Sequence, residues 1–171
     1  MSLGSLRVVS VAVGAIALIG FLVGLTDPAY YSPETPMDYL AAGLNSAGPF
    51  VAAAALFIWW RTTPIRRGVF LILVAAAAAI VWGLGNLIED ILDYEWGFVL
   101  FGVGGIITVL ASALAGVVAL TVREPFRWSG LFLLGVAAGP AADSALVWAV
   151  VWLAFALYLR QFTQIPAANK S

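Results

Sequence analysis

Apolar runs about as long as a bilayer is thick recur along this chain, at 8–25, 68–88 and 97–122, and short charged connectors separate them. A helix needs about 20 apolar residues to cross the roughly 30 Å hydrocarbon layer. Within that layer no water can satisfy backbone N–H and C=O groups, so only helices and closed barrels span it. Barrel strands alternate apolar and polar positions, and these runs do not. The predicted fold class is therefore all-α, a polytopic transmembrane helical bundle. Composition agrees: 63% of the residues are apolar and 10% charged, with a mean hydropathy of +1.04. Small domains leave much of their surface exposed, so a soluble chain of this size could not hide that much apolar surface.

Six segments are predicted, at 7–26, 37–60, 68–88, 97–122, 128–139 and 142–160, in a single integral membrane domain over 1–171. The first is too long for a signal-peptide core, and no A-x-A cleavage site stands at its end, directly before Asp27-Pro28. The last apolar stretch, 128–159, is broken by Gly139-Pro140-Ala141-Ala142-Asp143. It reads either as one long kinked helix, giving five spans, or as a short or re-entrant fifth helix followed by a full sixth. Charge favours six. With the amino terminus inside, six segments put Arg7, Arg61, Arg66, Arg67, Arg123, Arg127, Arg160 and Lys170 on the inner side, as the positive-inside rule requires. Asp27, Glu34, Asp38, Glu89, Asp90, Asp93, Glu95 and Asp143 then lie outside, and Glu124 alone departs. The expected location is the cell membrane, multi-pass, with a cytoplasmic amino terminus. Seven Arg against one Lys, with abundant Ala, suggests a prokaryotic source.

Small residues predict where helices meet. Gly20 and Gly24 form such a patch in the first helix. Ala75, Ala79 and Gly83 form a ridge in the third. Gly104, Thr108, Ser112 and Gly116 form a stripe in the fourth, which is expected at the bundle centre. Pro49 removes a backbone donor from the second helix and predicts a kink there.

Polar chemistry concentrates in Asn86–Trp96. If the third helix continues beyond the membrane, Asn86, Asp90 and Asp93 align at i, i+4 and i+7, with Glu89 beside them. Like charges at that spacing repel. Relief comes from solvent, from a bound cation, from a raised pKa or from a partner's arginine, so the stretch reads as a solvated connector or as the outer mouth of a binding site. Asn45 and Ser46, in the outer half of the second helix, suit hydrogen bonding between helices. Asp143 suits the N-cap of the last helix, with a role opposite Asp90 as the alternative. The candidate polar site is thus Asn45, Asn86, Glu89, Asp90, Asp93 and Asp143. Gly85–Asp90 and Ala142–Ala145 are superficially similar to the two catalytic motifs of the signal peptidase II family. Glu89 stands where that family has its first catalytic Asp, and Asp90 where it has Arg, so no membership is drawn and no catalytic residue is assigned.

Trp148, Trp152 and Phe155 form an aromatic stripe on the last helix, and Trp82 lies deep in the third. They read as a packing stripe or as the wall of a site for a flat apolar ligand. The chain has neither His nor Cys, which removes the usual haem, iron–sulfur and zinc ligands. No metal or cofactor is expected, with lipid or a flat apolar molecule as the alternative occupant. The connectors carry no phosphate-binding or nucleic-acid pattern. Expected partners are the bilayer and copies or other subunits of a membrane complex, with no nucleic acid. Three functions follow: a non-enzymatic structural or accessory component, an outward-facing component binding a cation or small molecule, or a carboxylate enzyme at the outer interface.

Overall fold

The computed structural model describes residues 2–26, 33–62, 69–121, 127–141 and 144–163. Their regular structure is entirely helical. The elements are α1 (Leu3–Gly24), α2 (Pro36–Thr62), α3 (Val69–Asn86), α4 (Gly97–Leu120), α5 (Ser129–Ala141) and α6 (Ala145–Thr163). A π turn over Leu87–Ile91 prolongs α3. Local sequence explains where they start. Ser2 accepts from the Ser5 backbone N–H at 3.2 Å and caps α1. Thr35-Pro36-Met37-Asp38 is a capping box opening α2. The Asp38 N–H donates to Thr35 Oγ1, Asp38 Oδ2 accepts from the Thr35 N–H at 2.8 Å, and proline occupies the first turn.

Five helices are long and apolar enough to cross a membrane; α5, with 13 residues, is not. At 1.5 Å per residue it reaches about 20 Å. The expected short fifth segment is therefore present, and the single long kinked helix is not. Gly135 packs on Val151 and Gly139 on Trp148, so α5 and α6 lie antiparallel side by side.

Each helix packs against its neighbours in the chain, and α6 closes back on α1. The result is a ring of six. Paired positions run in opposite senses around it: Ile16 with Gly48, Phe50 with Gly83, Trp82 with Gly104, and Gly116 with Gly130. Helix direction alternates, so the start of α1 and the end of α6 share one end. Among the described residues Arg7, Arg61, Arg127 and Arg160 lie at that end, and Glu34, Asp38, Glu89, Asp90, Asp93 and Glu95 at the other. The sequence expectation of a central α4 does not hold. The helix sits in the ring between α3 and α5, and its small residues serve those two seams.

The α3–α4 seam is the closest. A Cβ at Gly104 would collide with the Trp82 backbone, and one at Gly85 with the backbone of Leu100 and Phe101. At Gly97 it would lie 2.6 Å from the Glu89 nitrogen. Gly102 and Gly105 on the same helix have nothing within 4 Å of such a Cβ. The other face of α4 carries Val99, Val103, Ile106, Leu110, Leu114 and Val117, all exposed, as a lipid-facing surface requires.

Across the ring, Cα atoms of helices that are not neighbours stay more than 8 Å apart among the described residues. Aromatic side chains fill that distance. Trp59 of α2 stacks on Phe155 of α6 at 4.2 Å, and Trp82 of α3 meets Trp148 of α6 at 5.5 Å. Phe132 of α5 joins at 5.0 Å from Phe155.

Candidate functional site

The polar node at the acidic end begins with Pro49. A proline has no N–H, so the carbonyl four residues earlier in its helix loses its donor. That carbonyl belongs to Asn45, and α2 runs on through Pro49 regardless. Asn86 of α3 supplies the missing donor: its Nδ2 donates to the Asn45 carbonyl at 3.0 Å. The Asn45 side chain in turn donates from Nδ2 to Asp90 Oδ2 at 3.0 Å. Three residues thus tie α2 to the end of α3, and both amides retain Oδ1 as an acceptor.

Asp90 takes this position from the π turn. The Leu92 N–H bonds back to the Leu87 carbonyl, an i→i+5 step. Such turns add a residue to a helix and re-aim its side chains, often at functional sites. Here consecutive carboxylates separate. Asp90 faces α2, while Glu89 lies against α4 beside Gly97. Asp93 ends the turn in the left-handed region at φ 56°, and the Tyr94 N–H closes on the Ile88 carbonyl at 3.0 Å, a Schellman-type stop. Asp93 is exposed and leaves the stripe that a continued α-helix would have given it.

Burial separates these groups sharply. Asn86 and Asp90 are 1% and 3% exposed, Glu89 is half-buried, and Asp93 lies in solvent. Asn45 is exposed as a residue even though its amide bridges the helices. Among the described residues, Asn45 is the only hydrogen-bond donor to Asp90, and no cationic side chain reaches it. An ionised carboxylate removed from water costs several kcal/mol even after relaxation, and one amide offsets only part of that. No group of three His, Cys, Asp or Glu suited to a metal occurs among the described residues. Asp143 lies outside the described residues, and with it both the expected N-cap role and the alternative role opposite Asp90.

The aromatic residues expected as a stripe are gathered as one. Trp148, Trp152 and Phe155 are buried and point into the ring. Trp148 donates Nε1–H to the Val136 carbonyl at 3.0 Å, joining α6 to α5. Trp82 and Trp152 have shielded indole nitrogens with no acceptor, and Ser112 Oγ is likewise unpaired. Leaving a buried donor unmade costs about 1–3 kcal/mol, so these three are exceptions to the general pairing of buried polar groups.

Sequence reasoning did not foresee the Pro49–Asn45–Asn86 link. The signal was present: a proline in a membrane helix leaves the carbonyl four residues earlier without a donor, and something must satisfy it. Which helix supplies the donor is not a local property. No protein-family model, curated protein or solved structure matches this chain.

Proposed function

We propose that this protein is a non-enzymatic, multi-pass membrane component that binds a cation at its acidic end, with Asp90 as the counter-charge and the Oδ1 atoms of Asn45 and Asn86 as neutral ligands. One observation carries the reading: Asp90 is a buried carboxylate at the end of a membrane span, held by an amide and matched by no cationic side chain among the described residues. Ionisable residues in such places are costly and mark ligand or ion sites. One carboxylate with amide oxygens suits a single positive charge, either an inorganic monovalent ion or a protonated amine. The segregation of Arg and Lys supports a cell-membrane protein with a cytoplasmic amino terminus, which makes the acidic end outward-facing.

Thermal unfolding in detergent tests this, with Na⁺, K⁺, methylammonium and ethylammonium titrated separately at constant ionic strength. Saturable stabilisation by at least one of them is expected, and Asp90→Asn abolishes it. Asp90→Asn also raises the melting temperature without added cation, because burying an amide costs less than burying a charge. If no cation stabilises the wild type, the proposal fails.

A second reading has an observation of its own. Gly102 and Gly105 leave open backbone on the outward face of α4, where a helix of another subunit could approach closely. This supports a role as a subunit of a homo-oligomer or membrane complex. Native mass analysis from lipid nanodiscs checks it: a monomer without partners argues against it.

A further inference from the structure

We propose that an open cavity beside the start of α1 seats an anionic phospholipid, with its phosphate on Arg7 and an acyl chain along Val8, Val11, Leu18 and Leu22. This site lies at the basic end, opposite Asp90, and does not depend on the cation reading.

Four arginines lie among the described residues, and three of them are exposed. Arg61 stands over the Trp60 ring at 5.5 Å, Arg127 over the Trp128 ring at 5.7 Å, and Arg160 is engaged as well. Arg7 differs on both counts. It is half-buried, and among the described residues no carboxylate, hydrogen-bond acceptor or aromatic ring meets its guanidinium. A guanidinium cannot relieve itself by losing its proton. A charge drawn partly out of water without a counter-charge is costly, so this position calls for an anion from outside the chain.

A cavity of about 550 Å³ is there to receive one, and among the described residues Gly4, Arg7, Val8 and Val11 line it. Gly4 helps to keep it open: a Cβ there would meet only Ser2 Oγ, at 3.5 Å. Arg7 follows the first residue of α1, Leu3, by about 6 Å along the helix axis. Near a helix end, a long cationic side chain reaches the boundary between hydrocarbon and headgroups.

The surface beside the cavity says which anion. Val8 and Val11 are exposed, and at helical spacing the same face continues through Leu18 and Leu22, also exposed. A free phosphate would gain nothing from that apolar track. A phospholipid brings phosphate oxygens for the fork of the guanidinium and a chain for the track. Its headgroup must be anionic, because a zwitterionic one already carries a cation beside its phosphate.

Native mass analysis of the full chain in detergent tests this, with phosphatidylglycerol and phosphatidylcholine of identical chains titrated separately. Phosphatidylglycerol is expected to bind roughly fivefold tighter. Arg7→Gln removes that preference. Gly4→Leu keeps the arginine but fills the cavity, and it weakens phosphatidylglycerol binding by a similar factor. Arg61→Gln removes an exposed arginine of the same end and leaves the preference unchanged. Asp90→Asn also leaves it unchanged, which separates this site from the cation site. Equal binding of the two lipids, an undiminished preference in Arg7→Gln, or an equal loss in Arg61→Gln overturns the proposal. Displacement of the lipid by an equimolar amount of inorganic phosphate does so too, since the ligand would then be a free anion. If Arg7→Gln does not fold, Gly4→Leu decides the matter, and full affinity there overturns the proposal.

Discussion

Helix α3 packs in two opposite ways on its two sides. Towards α4 it is backbone against backbone, with Gly85, Gly97 and Gly104 leaving no room for even a methyl group. Towards α6 it is ring against ring, through Trp82 and Trp148. The difference shows how a ring of six helices closes. Neighbours approach as closely as glycine allows, while opposite helices stay apart and need large side chains to fill the gap. The first kind of contact is rigid, because backbones cannot yield. The second is adaptable, and it is where donors remain unpaired. A lipid-embedded bundle gains little from burying apolar surface, so close packing holds this one together.

The largest expected effect breaks the rigid side. Gly104→Leu drives a side chain into the Trp82 backbone and should cost about 3 kcal/mol or more, or prevent folding altogether. Gly105→Leu, one residue away on the open face, should stay within about 0.5 kcal/mol. Unfolding of both variants in mixed micelles gives the comparison, and equal costs would contradict the seam.

On the adaptable side, Trp152→Ala removes a fully buried indole and should cost about 3–5 kcal/mol. Trp152→Phe should cost far less, because it deletes a donor that has no partner. A loss from Phe as large as that from Ala would mean the indole N–H is satisfied after all.

The smallest effect sharpens the polar link between α2 and α3. Asn86→Ala leaves the Asn45 carbonyl without a donor and should cost about 1–3 kcal/mol. In a Pro49→Ala background the restored backbone N–H serves that carbonyl, so the same change should cost about 1 kcal/mol less. A double-mutant cycle measures the coupling. Strict additivity would show that Asn86 does not answer the gap left by proline.

Much of this was legible in the sequence, and unevenly so. The six segments and the short fifth one followed from run length and charge, and the described elements begin and end within a few residues of the expected bounds. The inward stripe Trp148–Trp152–Phe155 followed helical spacing, although spacing alone does not say whether a stripe meets lipid or protein. The candidate polar residues divided. Asn45, Asn86 and Asp90 meet, while Glu89 and Asp93 turn away, because a π turn and a left-handed residue interrupt the expected α-helical register. The stripe on α4 was visible, but its meaning was not. Small residues show that a helix packs closely, and they fit a ring seam as well as a bundle centre.

The sequence by itself determined that the chain is helical, favoured six segments over five, and separated the basic from the acidic charges of the described residues to opposite ends. These are consequences of solvent: lipid allows only helices and closed barrels, and it drives most charge to the ends. Only the tertiary structure decided which faces meet. The carbonyl freed by Pro49 finds Asn86 forty-one positions away in the chain, and two of three clustered indoles are left without acceptors. Such pairings depend on distances between helices, and those distances are set by packing around the whole ring.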